Sequence, residues 1–461
     1  MSKKKILLLS DDLRMNSGVG TMSRQFVLST MHKYDWTQIG AAIKHPEAGR
    51  RVDMTESVIN DTGIKDAYLT IYPSNGYGNP EMLRRVLSIE KPNAILHYTD
   101  PRFWGWLYEM EHEIRQEMPI FYYNIWDDWP APHYNEFYYE CSDLIMNISK
   151  QTVAIVKEVA KKKPRTDWDC TYLPHGVSEE FYPISPLEKE HSEVMSIRKT
   201  LIPDEKEFVL FYNNRNIRRK MTSDVILAFN EFCNRLKPEE AEKVCLLMHT
   251  TPRDENGTDL PVVAEKLCPD YDVYFSSNKL ETSKLNHLYN IADVTINIAS
   301  NEGFGLGTCE SLMAGTPIIV NVTGGMQDQC GFKLKNKLIT ADDYSEIKSL
   351  HDWRKWEHNE DLTWGEWVKP VWPKTRSIQG SLPTPYIFDD RADWFDVADK
   401  IQDWYNIDSN ERKRCGIKGR DYVNMEEVGM SDSQMGKNFI DHMEVGFKNW
   451  KPRKRYTLYK V

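Results

Sequence analysis

Long hydrophobic runs are missing from this sequence of 461 residues. The longest early apolar run, Ile6 to Leu9, follows three lysines and is far shorter than the roughly 20 residues of a membrane-spanning helix. It is also shorter than the core of a signal peptide, so it predicts a first buried strand. We therefore expect a protein without a transmembrane or targeting segment.

Paired cysteine motifs are absent as well. The eight cysteines are scattered, with no Cys-x-x-Cys and no histidine at the spacing of a metal site. Most of them lie in apolar runs, which is typical of buried free thiols in a reducing compartment. The sequence therefore predicts a cytoplasmic protein that needs neither a metal ion nor another cofactor.

An excess of basic residues is also lacking. The formal net charge is -10, which disfavours a surface that coats nucleic acid, although a net value can hide local patches. One basic patch closes the chain: Lys448, Lys451, Arg453, Lys454, Arg455 and Lys460. With 40% hydrophobic residues the chain is globular, and its length suits two domains of about 200 residues each.

Residues 300–317 form a glycine-rich stretch between two predicted strands. The apolar run from Val294 to Ile298 precedes it, a helical run from Leu306 to Ala314 lies inside it, and a second apolar run, Ile318 to Val320, follows. This order of predicted elements, a strand, the glycine loop, a helix and a second strand, places the loop at the carboxyl end of a parallel strand. Open α/β sheets bind their ligands at that edge.

The residue types in this loop suit a phosphorylated ligand. Glycines at 303, 305 and 307 let backbone N–H groups approach a ligand closely, and the start of a helix favours an anion. Glu302 and Glu310 bracket the loop with seven residues between them. Carboxylates accept hydrogen bonds from sugar and ribose hydroxyls, so the pair suits a carbohydrate joined to a phosphate. A plain strand-to-helix turn would also be rich in glycine.

The whole stretch resembles the donor-site signature of nucleotide-sugar glycosyltransferases of the GT-B fold, family 4, which are glycosyl transferases of group 1. The signature is a Glu, Gly-Phe-Gly and a second Glu, with small residues, Gly and Pro closing the helix. The resemblance implies an α/β fold with two Rossmann-like parallel-sheet domains that face a deep interdomain cleft. It implies a nucleotide-sugar donor bound by Gly18, Gly20, Arg215, Lys220, Glu302, Gly303, Phe304, Gly305, Leu306 and Glu310.

The expected domain boundaries follow from the linker around Leu173 to Val177 and the polar, proline-punctuated stretch after it. Residues 1–183 are predicted to form an acceptor domain, completed by a C-terminal helix at about 431–461. Residues 184–430 are predicted to form the donor domain. A tryptophan-rich insertion is expected at 345–386, with basic residues between the tryptophans. Its rings can stack on sugars or nucleobases, or can serve a packing flap or a subunit contact.

A basic pair follows the strand predicted at Glu207 to Tyr212. Arg215 and Lys220 stand five residues apart, where Arg215 can clamp a diphosphate through two hydrogen bonds and Lys220 can act as a point charge. A solvated basic turn would look the same. In the family resembled, such a pair binds the donor phosphates, which implies catalysis without a metal ion. The neighbouring Arg218 and Arg219 have no predicted role.

Polar residues after two strands of the first domain are candidates for acceptor binding: His97, Asp100, Asp127 and Asp128. The resemblance implies an acceptor-binding or proton-handling side chain on these loops, and Asp100 joins Glu302, Arg215 and Lys220 as a catalytic candidate. The aspartates can equally form Asx turns or helix caps.

The resemblance implies a retaining glycosyltransferase, a hexosyl- or pentosyltransferase that acts on a small molecule, polysaccharide or glycan. An alternative is a viral-type enzyme that glycosylates a hydroxymethylated DNA base, for which the tryptophan-rich stretch and the basic tail would grip the backbone. A nucleotide-sugar 2-epimerase and a non-catalytic nucleotide-sugar-binding protein remain further alternatives. The sequence predicts neither the nucleotide base nor the oligomeric state.

Overall fold

The computed structural model describes residues 3–15, 17–162, 164–344 and 356–454. These residues form two compact units, each with its own parallel sheet. The first unit holds the chain up to Trp126, Ala131–Gly176 and the segment from Asp432 onward. The second unit holds Asp127–Pro130 and Val177–Ser431. The predicted α/β class with two Rossmann-like sheets is confirmed.

The first unit is built on a sheet of eight described strands in the order β3-β4-β2-β1-β5-β6-β7-β8. They are β1 (Lys4–Asp11), β2 (Tyr34–Ala41), β3 (Val52–Asp53), β4 (Leu69–Pro73), β5 (Ala94–Tyr98), β6 (Ile120–Asn124), β7 (Leu144–Asn147) and β8 (Cys170–Tyr172). All neighbours pair in parallel except β3, which is antiparallel to β4. The central strands are buried, which explains their nearly continuous apolar sequence.

Helices cover this sheet. They are α1 (Gly18–Thr30), α2 (Thr55–Thr62), α3 (Pro80–Glu90), α4 (Gly105–Glu109), α5 (Glu111–Ile114), α6 (Glu136–Glu140) and α7 (Lys150–Val159), with 3₁₀ turns at Pro101–Trp104 and His133–Asn135. The C-terminal helix, Asp432–Asn449, packs on α1 through Phe439, whose ring lies 5.2 Å from that of Phe26. This helix therefore belongs to the core of the first unit.

The second unit contains a sheet of six described strands, all parallel, in the order β11-β10-β9-β12-β13-β17. In chain order its strands are β9 (Phe208–Asn213), β10 (Val244–His249), β11 (Val273–Ser276), β12 (Val294–Asn297), β13 (Ile318–Asn321), β14 (Lys333–Leu334), β15 (Lys337–Leu338), β16 (Leu362–Thr363), β17 (Val368–Val371), β18 (Thr375–Gln379) and β19 (Ile387–Arg391). Strands β14 to β16 form a small sheet, and β18 pairs with β19 as an antiparallel ribbon.

The helices of the second unit surround its six-stranded sheet. They are α8 (His191–Leu201), α9 (Thr222–Asn234), α10 (Pro238–Ala241), α11 (Leu260–Leu267), α12 (Thr282–Ile291), α13 (Leu306–Met313), α14 (Met326–Gln329), α15 (Ala341–Tyr344), α16 (Trp394–Tyr405) and α17 (Ser409–Val423), with a 3₁₀ turn at Arg218–Lys220. The core lies between the sheet and helices such as α9 and α16, where Phe229 and Trp404 are fully buried.

Both parallel sheets reverse their strand order at one point. In the first unit β1 lies between β2 and β5, and in the second unit β9 lies between β10 and β12. At such a switch point the two loops that leave the carboxyl ends of the central strands diverge and leave a crevice for a ligand. Each unit therefore places one ligand-binding crevice, after β1 and β5 in the first and after β9 and β12 in the second.

The stretch 345–386, predicted to be an insertion, instead contributes to the second sheet. Residues 345–355 lie outside the described residues, but Val368–Val371 forms the edge strand β17 beside β13. Its proline obscures the strand in the sequence and is tolerated because an edge strand leaves some N–H positions unused. Trp367 stacks on Tyr422 at 4.7 Å between ring centroids and donates a hydrogen bond to the Gln329 carbonyl at 2.9 Å. This tryptophan therefore packs the unit rather than facing a ligand.

Two composition-based expectations concern the whole chain. The eight cysteines are buried and form no disulfide, as their apolar surroundings predict. Among the described residues, no helix combines the length and the apolar character needed to cross a membrane.

Candidate active site

The glycine-rich loop of the second unit connects β12 to α13 at the switch point. Gly305 precedes the first turn of α13 and has a φ of 88°, a left-handed conformation that favours glycine. The N–H of Gly325 donates a hydrogen bond to the Glu302 carbonyl at 2.9 Å. A side chain at Gly324 would collide with that same carbonyl, so the glycine turn after β13 lies directly against the loop.

The remaining loop residues are held closely. Phe304 is buried, and its carbonyl accepts a hydrogen bond from Gln329 Nε2 at 2.7 Å. Gly303 and Leu306 are partly exposed beside it. A Cβ at Gly307 would lie 2.8 Å from the Asn213 carbonyl, so the first turn of α13 touches the end of β9. The two loops of the switch point therefore meet at the N-terminus of α13.

Glu302 is the centre of a buried charge cluster. Lys220, from the 3₁₀ turn after β9, forms an ion pair with its Oε2. A guanidinium nitrogen of Arg219 lies 3.4 Å from the same oxygen and donates to the Asn301 carbonyl at 2.6 Å. Lys220 and Arg219 thus contact one carboxylate at the same oxygen, and a second anion that reached this point would interact favourably with both cations.

Burial and ion pairing have opposite effects on the pKa values of this cluster. Burial alone would raise the pKa of Glu302, but Lys220 and Arg219 outweigh it, so the pKa of this carboxyl is lowered. Burial lowers the pKa of Lys220, and Glu302 offsets only part of that effect. Glu302 is therefore ionised at neutral pH, and its negative charge holds the two cations in place.

Glu310, on α13, has a different environment. It accepts a hydrogen bond from the Tyr289 hydroxyl at 2.6 Å, and that hydroxyl accepts one from Asn213 Nδ2 at 2.8 Å. Burial raises the pKa of Glu310 to about 7, although the bond from Tyr289 works in the other direction. The carboxyl therefore changes protonation near neutral pH.

Arg215 does not join Lys220 in this ligand-free arrangement. Its side chain is 62% exposed and lies 3.2 Å from Asp254, whereas Lys220 is buried against Glu302. The cation beside Lys220 is Arg219, for which the sequence predicted no role. The run Arg218-Arg219-Lys220 forms a tight 3₁₀ turn, and this turn brings Arg219 and Lys220 onto one carboxylate.

Asp127 and Asp128 belong to the second unit rather than to the first, although the chain reaches them from β6. A Cβ at Gly324 would lie 3.1 Å from the Asp127 carbonyl, so this backbone runs beside the glycine turn. Burial lowers the pKa of Arg219, but the charges of Glu302 and Asp127 overcome that effect and raise it. Asp127 is therefore a second negative charge near the two cations.

Asp128 has a structural position. Asp128 is fully buried, and its carboxylate lies 3.9 Å from the Arg376 guanidinium. Arg376 also forms a bidentate pair with Asp390, and one of the two contacts measures 2.8 Å. Thr323 donates to the same Asp390 at 2.9 Å. Burial, together with the nearby charge of Asp390, raises the pKa of Asp128 well above its usual range. The prediction of Asp128 as an acceptor ligand is therefore wrong, because a carboxyl enclosed in this way has no access to a ligand.

The first unit carries the other predicted donor residues on the loop after β1. Gly18 starts α1, and the N–H of Gly20 donates to the capping hydroxyl of Ser17 at 3.0 Å. A Cβ at Gly20 would approach the Met15 carbonyl at 2.5 Å, which explains the glycine there. This helix start lies at the switch point of its own sheet.

Two candidates after β5 differ in accessibility. Asp100 is partly exposed and forms an ion pair with Arg102. Its carboxylate also accepts a hydrogen bond from the Arg102 backbone N–H at 3.0 Å, so it forms the predicted helix cap. His97 lies inside β5, fully buried, with its ring stacked on Tyr122 and Nδ1 2.7 Å from the Tyr108 hydroxyl. Burial lowers the pKa of His97 to about 3. The prediction of His97 as an acceptor ligand is wrong because its side chain points into the core.

Comparison with known proteins identifies the second unit most directly. Residues 195–362 match the family described as glycosyl transferases group 1. No curated protein matches the sequence. The matched residues include β9 to β13 and the glycine loop, so the similarity to group 1 glycosyltransferases lies in the second unit.

Solved structures match nearly the whole chain. HepE from Anabaena, crystallised with UDP and glucose, has a TM-score of 0.63 at 11% identity and covers 96% of this chain and 99% of its own. A glycosyltransferase from Rickettsia africae has a TM-score of 0.63 at 13% identity and covers 97% and 100%. Sucrose-phosphate synthase from Thermosynechococcus elongatus has a TM-score of 0.63 at 15% identity and covers 96% and 100%. The chain therefore has the GT-B fold of these structures.

Proposed function

We propose that this group 1 glycosyltransferase transfers a sugar from a nucleotide-diphosphate sugar to an acceptor hydroxyl with retention of configuration. The observation that carries the proposal is the convergence of Lys220 and Arg219 on Glu302 beside the N-terminus of α13. Two adjacent cations and the N–H groups of a helix start are the groups that bind a pyrophosphate. HepE, of the same fold, was crystallised with UDP and glucose, so UDP-sugars are the first donors to test.

Bond cleavage places negative charge on the leaving nucleotide diphosphate. Lys220, Arg219 and the first turn of α13 stabilise this charge, and Arg215 joins them when its exposed side chain exchanges Asp254 for a phosphate oxygen. These groups take the place that a divalent cation has in metal-dependent transferases. Independence of metal is therefore part of the proposal, and unchanged turnover in excess chelator is its test.

The acceptor hydroxyl attacks the anomeric carbon from the face that the leaving group occupies. The bond from the acceptor oxygen to this carbon forms while the bond to the phosphate oxygen breaks, and the hydroxyl proton passes to a phosphate oxygen. Glu302 holds hydroxyls of the transferred sugar, and Glu310 holds the ribose. Neither carboxylate acts as a covalent nucleophile in this proposal.

A DNA acceptor is not part of the proposal. The alternative depended on the tryptophan-rich stretch and the basic tail, and three of their described members are engaged within the protein. Trp367 stacks on Tyr422, Arg376 is buried with Asp390, and Arg453 pairs with Glu111 at 2.7 Å. Salt-sensitive binding of duplex DNA in a gel shift would restore the alternative.

The decisive experiment offers the protein a panel of nucleotide sugars, with and without acceptors, and identifies the products by mass spectrometry. Transfer or slow hydrolysis of one donor, with release of the nucleoside diphosphate, is expected. Conversion of the donor to an isomer without acceptor would indicate a 2-epimerase. Calorimetric nucleotide binding without any turnover would indicate a binding protein.

Donor binding is expected to depend on pH through Glu310. Because the pKa of Glu310 is about 7, the carboxylate that accepts ribose hydrogen bonds predominates only above neutrality. UDP should bind several-fold more tightly at about pH 8 than at about pH 6. In Glu310→Gln this pH dependence should disappear, and calorimetry at both pH values measures it.

The free energy of unfolding should respond to pH in the opposite sense to UDP binding: Glu310 lowers it as pH rises. A carboxyl whose folded-state pKa is raised from 4.5 to about 7 favours the folded state while it is protonated. Its contribution to the free energy of unfolding is therefore lost as pH rises through about 7. A pH dependence of UDP binding that persists in Glu310→Gln would contradict the assignment.

A further inference from the structure

The crevice at the switch point of the first unit has no role assigned beyond the loop at Gly18. Asp11 is the last residue of β1, and Asp100 follows β5, so the two carboxylates lie on the two loops that flank the crevice. Tyr77, after β4, stacks on Phe103 in the turn that Asp100 caps, so it lies at the same edge of the sheet. Burial raises the pKa of its hydroxyl, and the charges of Asp11 and Asp100 raise it further. The three side chains therefore form one cluster at the edge of the sheet where ligands bind.

Asp11 carries a buried carboxylate oxygen without a partner. Among the described residues no donor reaches its Oδ1, which is inaccessible to solvent, and no cation pairs with the carboxylate. The adjacent Asp12 is satisfied differently, because Arg14 binds both of its oxygens, at 2.9 and 2.7 Å. A buried polar atom without a hydrogen bond costs about 1–3 kcal/mol. Asp11 as a whole is partly exposed, unlike Asp128, so its carboxylate can accept a donor from outside the protein.

An aromatic surface lies beside these carboxylates. Tyr77 and Phe103 stack face to face, with ring centroids 4.7 Å apart and planes at 10°. Phe103 is 50% exposed, whereas Tyr77 is held by Trp104, edge-on at 5.9 Å, and by Trp106, which donates to the Tyr77 carbonyl at 3.2 Å. The exposed ring is therefore fixed rather than free to collapse onto the surface.

The charges of this crevice select against an anionic ligand. Arg14 is committed to Asp12 and Arg102 to Asp100, and Asp11 adds a negative charge that neither arginine neutralises. A phosphate group would meet carboxylate oxygens here rather than cations. A neutral sugar, in contrast, supplies hydroxyl donors for Asp11 and an apolar ring face for Phe103.

We propose that Asp11, with the stacked pair Tyr77 and Phe103, forms the acceptor subsite and that the acceptor is an uncharged sugar. One acceptor hydroxyl donates to Asp11, and the C–H face of its ring lies on Phe103. Asp11 is a residue that binds the acceptor rather than the donor. The inference rests on the proposed function, because it names the acceptor class of the same transfer.

Equilibrium binding of acceptor probes tests the subsite without turnover. The probes are methyl α-glucoside and maltose as neutral sugars and glucose 6-phosphate as a charged one, observed by saturation-transfer NMR with the full-length protein saturated with UDP. The neutral probes should bind at least about tenfold more tightly than glucose 6-phosphate. Asp11→Asn and Phe103→Ala should each weaken the neutral probes by about tenfold or more.

Two controls keep the result interpretable. Asp61→Asn removes an exposed carboxylate of α2 in the same unit and should leave probe binding unchanged. Phe103→Tyr keeps the stacking surface and should retain the affinity that Phe103→Ala loses. Circular dichroism of each variant checks the fold.

The outcomes separate the two proposals. Stronger binding of glucose 6-phosphate, or neutral-probe binding that Asp11→Asn and Phe103→Ala leave unchanged, overturns the subsite while donor turnover still supports the transferase. Absence of probe binding to the wild-type protein overturns the subsite as well. If no nucleotide sugar in the donor panel is turned over, the proposed function is overturned instead.

Discussion

Lys220→Met is expected to lower kcat/KM for the nucleotide-sugar donor by about two to three orders of magnitude. The ammonium group of Lys220 is buried in an ion pair with Glu302 next to the start of α13. It can therefore approach the leaving diphosphate in surroundings with little water, where a charge acts most strongly. Methionine fills nearly the same volume, so the lost activity reports the lost charge. Initial-rate kinetics with the identified donor measures it.

A matched control for this variant is Lys243→Met. Lys243 is a half-exposed lysine of the same unit that pairs with Glu207 at 2.8 Å, and its replacement should leave kcat/KM within about twofold. Arg219→Met should resemble Lys220→Met because both cations contact Glu302. Wild-type kinetics in Lys220→Met would remove the charge cluster from the mechanism. A loss that appears only in thermal stability would assign the cluster a structural role.

Arg376→Met is expected to lower the free energy of unfolding by about 3–5 kcal/mol. The guanidinium is 2% exposed, pairs with the fully buried Asp390 and lies 3.9 Å from Asp128. Removing it leaves a carboxylate charge buried without a counter-ion, which is the most costly way to disrupt such a pair. Chemical denaturation monitored by circular dichroism measures the change.

The control for Arg376→Met is Lys374→Met in the same ribbon. Lys374 is half exposed and pairs with Asp396 at 2.9 Å, so its replacement should cost less than about 1 kcal/mol. The double variant Arg376→Met with Asp390→Asn should recover part of the lost stability, because it removes the unpaired charge. Equal effects of Arg376→Met and Lys374→Met would contradict the buried ion pair.

Local sequence signals were sufficient for the centre of the second unit. A short apolar strand, a glycine that must adopt a positive φ and a helix start predict β12, Gly305 and α13 because each depends on neighbouring residues. The parallel α/β class followed from the alternation of such units along the chain. Where the contact is local, sequence reasoning identified the element and its place.

Side-chain direction was harder to predict. His97 stands near the carboxyl end of β5, which made it a ligand candidate, but a strand residue points to a face of the sheet and this face is covered by Trp104 and Tyr108. Arg219 was overlooked because its partner Glu302 comes from another strand. Which face of the sheet a strand side chain points to, and which distant residue pairs with a charged side chain, depend on tertiary packing. A single sequence does not reveal that packing.

Long-range pairing also explains Asp128 and Arg376. The first was predicted to bind an acceptor, and the second is one of the basic residues of the stretch 345–386 that was predicted to be an insertion, yet both are buried near Asp390. Charged residues are seldom fully buried without a partner, so each looked exposed when considered alone. Only the fold shows that they compensate one another.

The short excursion Asp127–Pro130 has a consequence for dividing this protein into fragments. These four residues belong to the unit formed by Val177–Ser431 although the chain on both sides of them does not. A fragment expressed as Val177–Ser431 would leave the Phe388 amide without the Trp129 carbonyl that it contacts at 2.7 Å, and would open a hole where Asp128 is enclosed. The second unit is thus discontinuous in the sequence, and a stable fragment would need this tetrapeptide restored, for example through a graft or a circular permutation.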